Sequence, residues 1–97
     1  MSMRKNDAMT RYVYIVECSD MTFYTGSAAN IEKRIQEHNS GRAGAKYTRS
    51  RRPVKLAYVE PCSTLSMALK REAQIKRLSR LQKVLLIAKG KRVKDRA

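Results

Sequence analysis

The sequence predicts a small α+β domain, a three-stranded antiparallel sheet flanked by helices in the order β-β-α-β-α-α. Three observations predict it. Short runs rich in β-branched and aromatic residues fall at 12–18, 22–26 and 54–60, each bounded by Gly, Pro or a Ser-Asp turn. Longer runs between and after them repeat apolar residues at helical spacing behind recognisable caps. At 97 residues the chain is long enough for one hydrophobic core and too short for two.

Residues 1–10 are polar and contain no apolar stretch, so they read as a flexible lead-in without a secretory signal. Residues 12–18 alternate only weakly, which suits a buried strand. Ser19-Asp20-Met21-Thr22 supplies turn chemistry and residues 22–26 return. Such a hairpin can bring Tyr14 and Tyr24 together. Gly26 ends the second strand where the backbone must turn or let something approach closely.

Asn30 is an N-cap for a helix to about Asn39, with Gly41 beyond its end. At 100° per residue, Ile31, Ile35 and His38 share one face and Arg34 stands at its edge. Residues 42–55 carry six basic residues and no acidic one, and read as a basic loop. The third strand, 54–60, lies between Pro53 and Pro61. Ser63 or Thr64 caps a second helix through about Leu78. Ser79-x-x-Gln82 has the form of a capping box for a third helix over 80–89, stopped at Gly90. Its Leu81, Val84, Leu85 and Ala88 are the expected core stripe. The domain then spans 11–89, and 90–97 is expected to be a basic, flexible tail.

The charge balance is extreme. Twenty-two Lys and Arg oppose eight Asp and Glu, a formal charge of +14. An excess of that size points to a polyanionic partner whose condensed counterions are released on binding, and so to nucleic acid. Two cysteines without a Cys-x-x-Cys pair, and a single histidine, suggest neither a disulfide framework nor a zinc site. The longest apolar run, 84–88, is far too short to cross a bilayer. A soluble protein of the reducing cytoplasm is expected.

Several residues in this frame carry chemistry. On a helical wheel Glu72 falls among Leu65, Ala68, Leu69 and Ile75, on the stripe expected to face the protein. A buried lone carboxylate is costly unless it is paired or holds a cation. It is either an ion-pair partner, with Lys76 or a neighbouring Arg, or a metal ligand. A single carboxylate is enough for Mg²⁺, which keeps most of its waters. Arg34 and His38 are four apart and can reach one phosphate, or they are a solvated Arg and a packed His. Tyr14 and Tyr24 are core residues with polar tips, or they stand near a reacting centre. A phenol with pKa near ~10 acts as a base only if neighbouring cations draw that value down. Lys46, Tyr47, Arg49, Arg51 and Arg52 form a basic stretch with one aromatic. It suits backbone contact and base stacking, or simple solvation.

Taken in order, these residues resemble the GIY-YIG nuclease superfamily, and within it the small stand-alone bacterial members of the YhbQ-like type. The resemblance covers about residues 11–89. Val13-Tyr14-Ile15 stands where the first motif triad falls, and Tyr24-Thr25-Gly26 where the second falls. The stretch 31–38 with Asn39-Ser40-Gly41 is similar to the family's Arg helix. Gly44-Ala45-Lys46-Tyr47-Thr48 and the Arg-Arg-Pro-Val before the third strand are similar to the stand-alone group, and 68–76 to the metal-binding helix. The resemblance implies that Tyr14 and Tyr24 sit beside the attacked phosphate, one of them helping to activate water. It implies that Arg34 binds and polarises the phosphate and that His38 assists proton transfer or phosphate contact. Glu72 would hold a single divalent metal, Mg²⁺ or Mn²⁺, and Gly26 would allow close backbone approach. Lys46, Tyr47, Arg49, Arg51, Arg52 and Lys76 are the expected nucleic-acid contacts.

The expected activity is therefore metal-dependent hydrolysis of DNA phosphodiesters, in repair or processing. Two readings from other classes stand beside it. One is a binding module that keeps the fold without useful turnover, and would bind with a steep salt slope and ignore chelators. The other is a ribosome-associated structural protein, which would be retained on ribosomes and show no preference for DNA.

Overall fold

The computed structural model describes residues 10–41 and 44–96, the last six by their backbone alone. The elements are β1 (Arg11–Glu17), β2 (Phe23–Ala28), α1 (Ile31–Ser40), the one-turn α2 (Lys46–Arg49), β3 (Lys55–Cys62), α3 (Leu65–Lys76) and α4 (Arg80–Arg96). The sheet is three-stranded and antiparallel throughout, as the sequence predicts, and its strand order is β2-β1-β3. Pro61 is tolerated inside β3 because β3 is an edge strand, where a missing N–H can face away from the ladder.

The central position of β1 explains its weak alternation. Val13, Tyr14, Ile15 and Val16 are all buried, because both faces of the sheet are covered. Tyr14 and Val16 pack with Cys18 and Val54 against Tyr24, Ala28, Ile31 and Ile35 on the α1 side. Val13 and Ile15 pack with Ala68, Ile75 and Ile87 on the α3–α4 side. The β1–β2 turn closes through Cys18 N–H to Thr22 O (2.8 Å) and Met21 N–H to Cys18 O (2.9 Å). Asp20 Oδ1 accepts from both the amide and the hydroxyl of Thr22.

The caps form where expected. Asn30 Oδ1 accepts from Lys33 N–H at 3.0 Å, and Thr64 Oγ1 accepts from Met67 N–H at 3.1 Å. The capping box before α4 is reciprocal: Ser79 N–H donates to Gln82 Oε1 (2.9 Å) and Gln82 N–H donates to Ser79 Oγ (3.2 Å).

Three expectations are corrected. The stretch read as a basic loop contains the α2 turn. Gly90 does not stop the last helix, which continues to Arg96. A Cβ on Gly90 would come 3.0 Å from the Tyr58 ring, so this glycine serves close packing of α4 on β3 and is not a cap. The predicted stripe of α4 faces outward: Leu81, Val84, Leu85 and Ala88 are exposed, and Leu86 and Ile87 pack on the core. Residues 84–88 are all apolar, so spacing alone does not choose a face. Contact with β3 does. For the same reason Leu65 and Leu69 of α3 are exposed, and its buried residues are Ala68 and Ile75.

Residues 1–9, most of the predicted lead-in, lie outside the described residues, as do 42, 43 and 97. No helix among the described residues is long and apolar enough to cross a membrane.

Candidate functional site

The pleat of β1 turns Tyr14 toward the last turns of α1, where it meets His38. Tyr14 Oη lies 2.7 Å from His38 Nε2, and both side chains are buried. Gly26 of β2 stands opposite Tyr14 in the register. A Cβ there would come 2.6 Å from Tyr14 Oη, so the missing side chain is what makes room for the hydroxyl. The close approach expected at Gly26 is thus made by Tyr14 of the same chain.

The far side of the His38 ring is held by α2. Nδ1 lies 2.8 Å from Thr48 Oγ1, and that hydroxyl donates to Ala45 O at 3.0 Å. The half-buried Tyr24 packs its ring edge-on to His38, with centroids 5.3 Å apart, and stacks on the exposed Tyr47. The Arg51 guanidinium covers Tyr47 at 3.9 Å from its centroid.

Arg34 projects from α1 beside this group. It pairs with Glu37 at 3.0 Å and hydrogen-bonds to Tyr14. Burial pushes the Tyr14 phenol above its ordinary value, and Arg34 only partly offsets this. The neighbouring Arg34 is thus not enough to bring Tyr14 below its ordinary value, the condition set above for a phenol acting as a base. Burial, and then the Arg34 charge, pull His38 below its ordinary value, so the ring is neutral near pH 7.

Glu72 reaches β2 from the opposite side. Its Oε1 accepts from Ser27 Oγ at 2.9 Å, one residue beyond Gly26, and its Oε2 pairs with Lys76 Nζ at 2.9 Å. The carboxylate is 18% exposed. Among the described residues no three His, Cys, Asp or Glu side chains converge. A cation here would have to be one that draws most of its ligands from water and substrate.

Tyr14, Tyr24, Arg34 and His38 thus form one cluster, with Glu72 beside it across β2. The basic residues divide. Lys46, Tyr47 and Arg49 are exposed on α2. Arg51 is fixed by Asp20 (3.0 Å) and Tyr47 O (2.8 Å). Arg52 turns inward and donates to His38 O and Gly41 O, taking up carbonyls at the end of α1. Lys76 is engaged with Glu72.

Residues 10–84, most of the chain, match the family model of the GIY-YIG catalytic domain. The chain belongs to the GIY-YIG family. It is 67% identical to a UPF0213 protein of Syntrophus aciditrophicus over 78% of this chain and 87% of that one. A UPF0213 protein of Staphylococcus saprophyticus is 57% identical over 81% of this chain and 95% of its own. The solution NMR structure of a UPF0213 protein from Bacillus halodurans superposes with a TM-score of 0.55 at 41% identity, covering 84% and 87% of the two chains. A protein from E. faecalis, also solved by NMR, gives 0.53 at 45% identity over 76% and 78%.

Membership makes this a nuclease-family domain with nucleic acid as its class of partner. In this GIY-YIG chain, the two positions that depart from the motif letters, Val13 and Thr25, belong to buried positions of the sheet. Thr25 Oγ1 is buried without a hydrogen-bond partner among the described residues. Sequence reasoning missed Thr48, Glu37 and Ser27, which hold His38, Arg34 and Glu72. Thr48 was hidden in a stretch read for its charges. Ser27 lay just past the expected end of β2.

Proposed function

We propose that the protein is a divalent-metal-dependent endonuclease that hydrolyses DNA phosphodiesters, acting in DNA repair or processing in the cytoplasm. The observation that carries this reading is the convergence on β2 of a buried Tyr14–His38 hydrogen bond with Arg34 on one side and the Glu72 carboxylate on the other. A fold-only scaffold does not need a neutral histidine, a buried phenol and a semi-buried carboxylate around one glycine.

Arg34, held by Glu37, places its guanidinium where its charge opposes the negative charge that grows during phosphoryl transfer. Tyr14 Oη, seated against Gly26 and bonded to neutral His38, is the group that can take a proton from water. Tyr24 and Tyr47, with Lys46 and Arg49, offer a stacking and backbone-contact surface next to it. Glu72 would hold Mg²⁺ or Mn²⁺, the remaining positions being filled by water and substrate phosphate. The bound cation supplies charge neutralisation and a more acidic water.

The Glu72–Lys76 ion pair favours a second reading, a nucleic-acid-binding module whose carboxylate is satisfied without metal. One experiment separates them. Labelled single-stranded, duplex and branched DNA is incubated with the purified protein and Mg²⁺ or Mn²⁺, beside Glu72→Ala. Cleavage that needs metal and vanishes in the variant is the expected result. Equal behaviour of both proteins, with salt-sensitive binding intact, would select the binding module.

A further inference from the structure

Thr48 is fully buried, yet the nuclease reading gives it nothing to do. We propose that Thr48 is a positioning residue that holds His38 as the Nδ1–H tautomer, so that His38 Nε2 receives the Tyr14 proton as Tyr14 takes one from the attacking water. The inference rests on the nuclease reading above and deepens it.

The tautomer follows from counting hydrogens. A Thr hydroxyl has one, and here it reaches Ala45 O, which leaves its lone pairs to accept from His38 Nδ1–H. His38 Nε2 is then an acceptor, facing the Tyr14 hydroxyl at 2.7 Å. Arg34 completes the set by donating to Tyr14 Oη. Every hydrogen in this chain of contacts has an acceptor. In the opposite tautomer Thr48 would donate to Nδ1 and His38 to Tyr14 Oη. Tyr14 Oη would then accept from His38 and from Arg34, and its own hydrogen would face two donors, since a guanidinium accepts nothing. A buried hydroxyl hydrogen without an acceptor is costly.

The consequence is chemical. Burial makes a standing Tyr14 phenolate unfavourable, and a phenol that hands its proton on need never become one. As water adds to phosphorus, its proton goes to Tyr14 Oη and the Tyr14 proton goes to His38 Nε2. The bond from phosphorus to the leaving ester oxygen breaks, and that oxygen takes a proton from solvent. The imidazolium returns its proton to Tyr14, which releases one to solvent, so water has been split across the ester with no net change in the protein. The groups that face His38 are Tyr14 from β1, Tyr24 from β2, Arg34 and Glu37 within α1, Thr48 from α2 and Arg52 from the loop before β3. Burial first, then Arg34 and Arg52, keep the ring neutral, and Glu37 opposes them.

His38 is the only histidine of the chain, so its ring nitrogens are read without ambiguity by ¹⁵N NMR of the full-length protein. The wild type should show Nδ1–H with an unprotonated Nε2. In Thr48→Val, which keeps the shape and removes the acceptor, the ring should shift toward Nε2–H. There kcat should fall roughly ten- to a hundredfold with KM little changed, and Thr48→Ser should restore both. If the wild type cleaves no DNA, the nuclease reading falls and the transfer step falls with it, whatever the tautomer. If it cleaves and His38 is Nε2–H, the role of Thr48 falls alone. The same follows if Thr48→Val leaves tautomer and kcat unchanged.

Discussion

On the α1 side of the sheet, Tyr14, His38 and Thr48 are fully buried and polar, and they are bonded to one another in a line. On the α3–α4 side, Val13, Ile15, Ala68, Ile75 and Ile87 form an apolar layer, and the buried Thr25 hydroxyl has no partner among the described residues. One strand, β1, feeds both layers with alternate side chains. The difference shows how a small domain can hold chemistry in a core. Polar groups are tolerated in depth when each donor meets an acceptor, and the other face is left to supply apolar burial. A change in the buried polar line should therefore register mainly in activity and a change in the apolar layer mainly in stability, with Glu72, which meets β2 at the edge of that layer, the exception.

The sharpest form of this contrast compares neighbours on β1. Tyr14→Phe removes the hydroxyl that meets His38, and cleavage should fall by about 10²–10⁴-fold, with unfolding free energy lowered by only about 1–3 kcal/mol. Ile15→Ala should do the reverse, costing about 2–5 kcal/mol while the folded fraction retains its kcat. Denaturant unfolding read beside single-turnover cleavage checks both. Equal loss of activity per folded molecule in the two variants would remove the distinction between the faces.

Gly26→Ala comes next. The added methyl would meet Tyr14 Oη at 2.6 Å, so the hydroxyl must move off His38. Cleavage should drop by roughly tenfold or more, since a displacement of that size spoils alignment. The ¹⁵N signals of His38 should change with it.

Acid should act through His38. Burial and Arg34 lower its proton affinity from the ordinary 6.5, so below that pH the unfolded chain binds the proton more readily than the folded one. The stability that comes from neutral His38 is therefore complete above about 6.5 and declines as pH falls through the window from there to the lower folded value. Cleavage should decline on the acid side as well, by about tenfold per pH unit once His38 is charged, because Nε2 can then accept nothing. A rate that stays flat through the pH at which ¹⁵N NMR shows His38 becoming charged would mean that Tyr14 does not hand its proton to His38.

Thr25→Val, next in sequence to Gly26, should move the other way. It removes an unsatisfied hydroxyl from the apolar face, so the unfolding free energy should rise, by about 1 kcal/mol. Cleavage should stay as it was.

The order of elements along the chain, the caps and the clustering of Tyr14, Tyr24, Arg34 and His38 were legible in the sequence, because these depend on local chemistry and on motif spacing. Asn30, Thr64 and Ser79 cap through side chains within three residues of their partners. Thr48 was not legible, since its bond to His38 spans ten residues and depends on how α2 folds back. The inward turn of Arg52 was hidden in the same way, as its acceptors are the backbone carbonyls of His38 and Gly41.

The last helix shows where pattern reading fails and gives the smallest expected effect. Leu81, Val84, Leu85 and Ala88 make a good stripe on a wheel, but so do other choices in a helix with five consecutive apolar residues, and β3 takes Leu86 and Ile87. Leu85 is 59% exposed against 8% for Ile87. Leu85→Gln should therefore shift unfolding free energy by no more than about 0.5 kcal/mol, where the wheel would have put it in the core. Ile87→Ala, two residues on, should cost about 2–4 kcal/mol. If the order of these two effects were reversed, α4 would be turned on its axis in solution, and the stripe read from the sequence would be the one that packs.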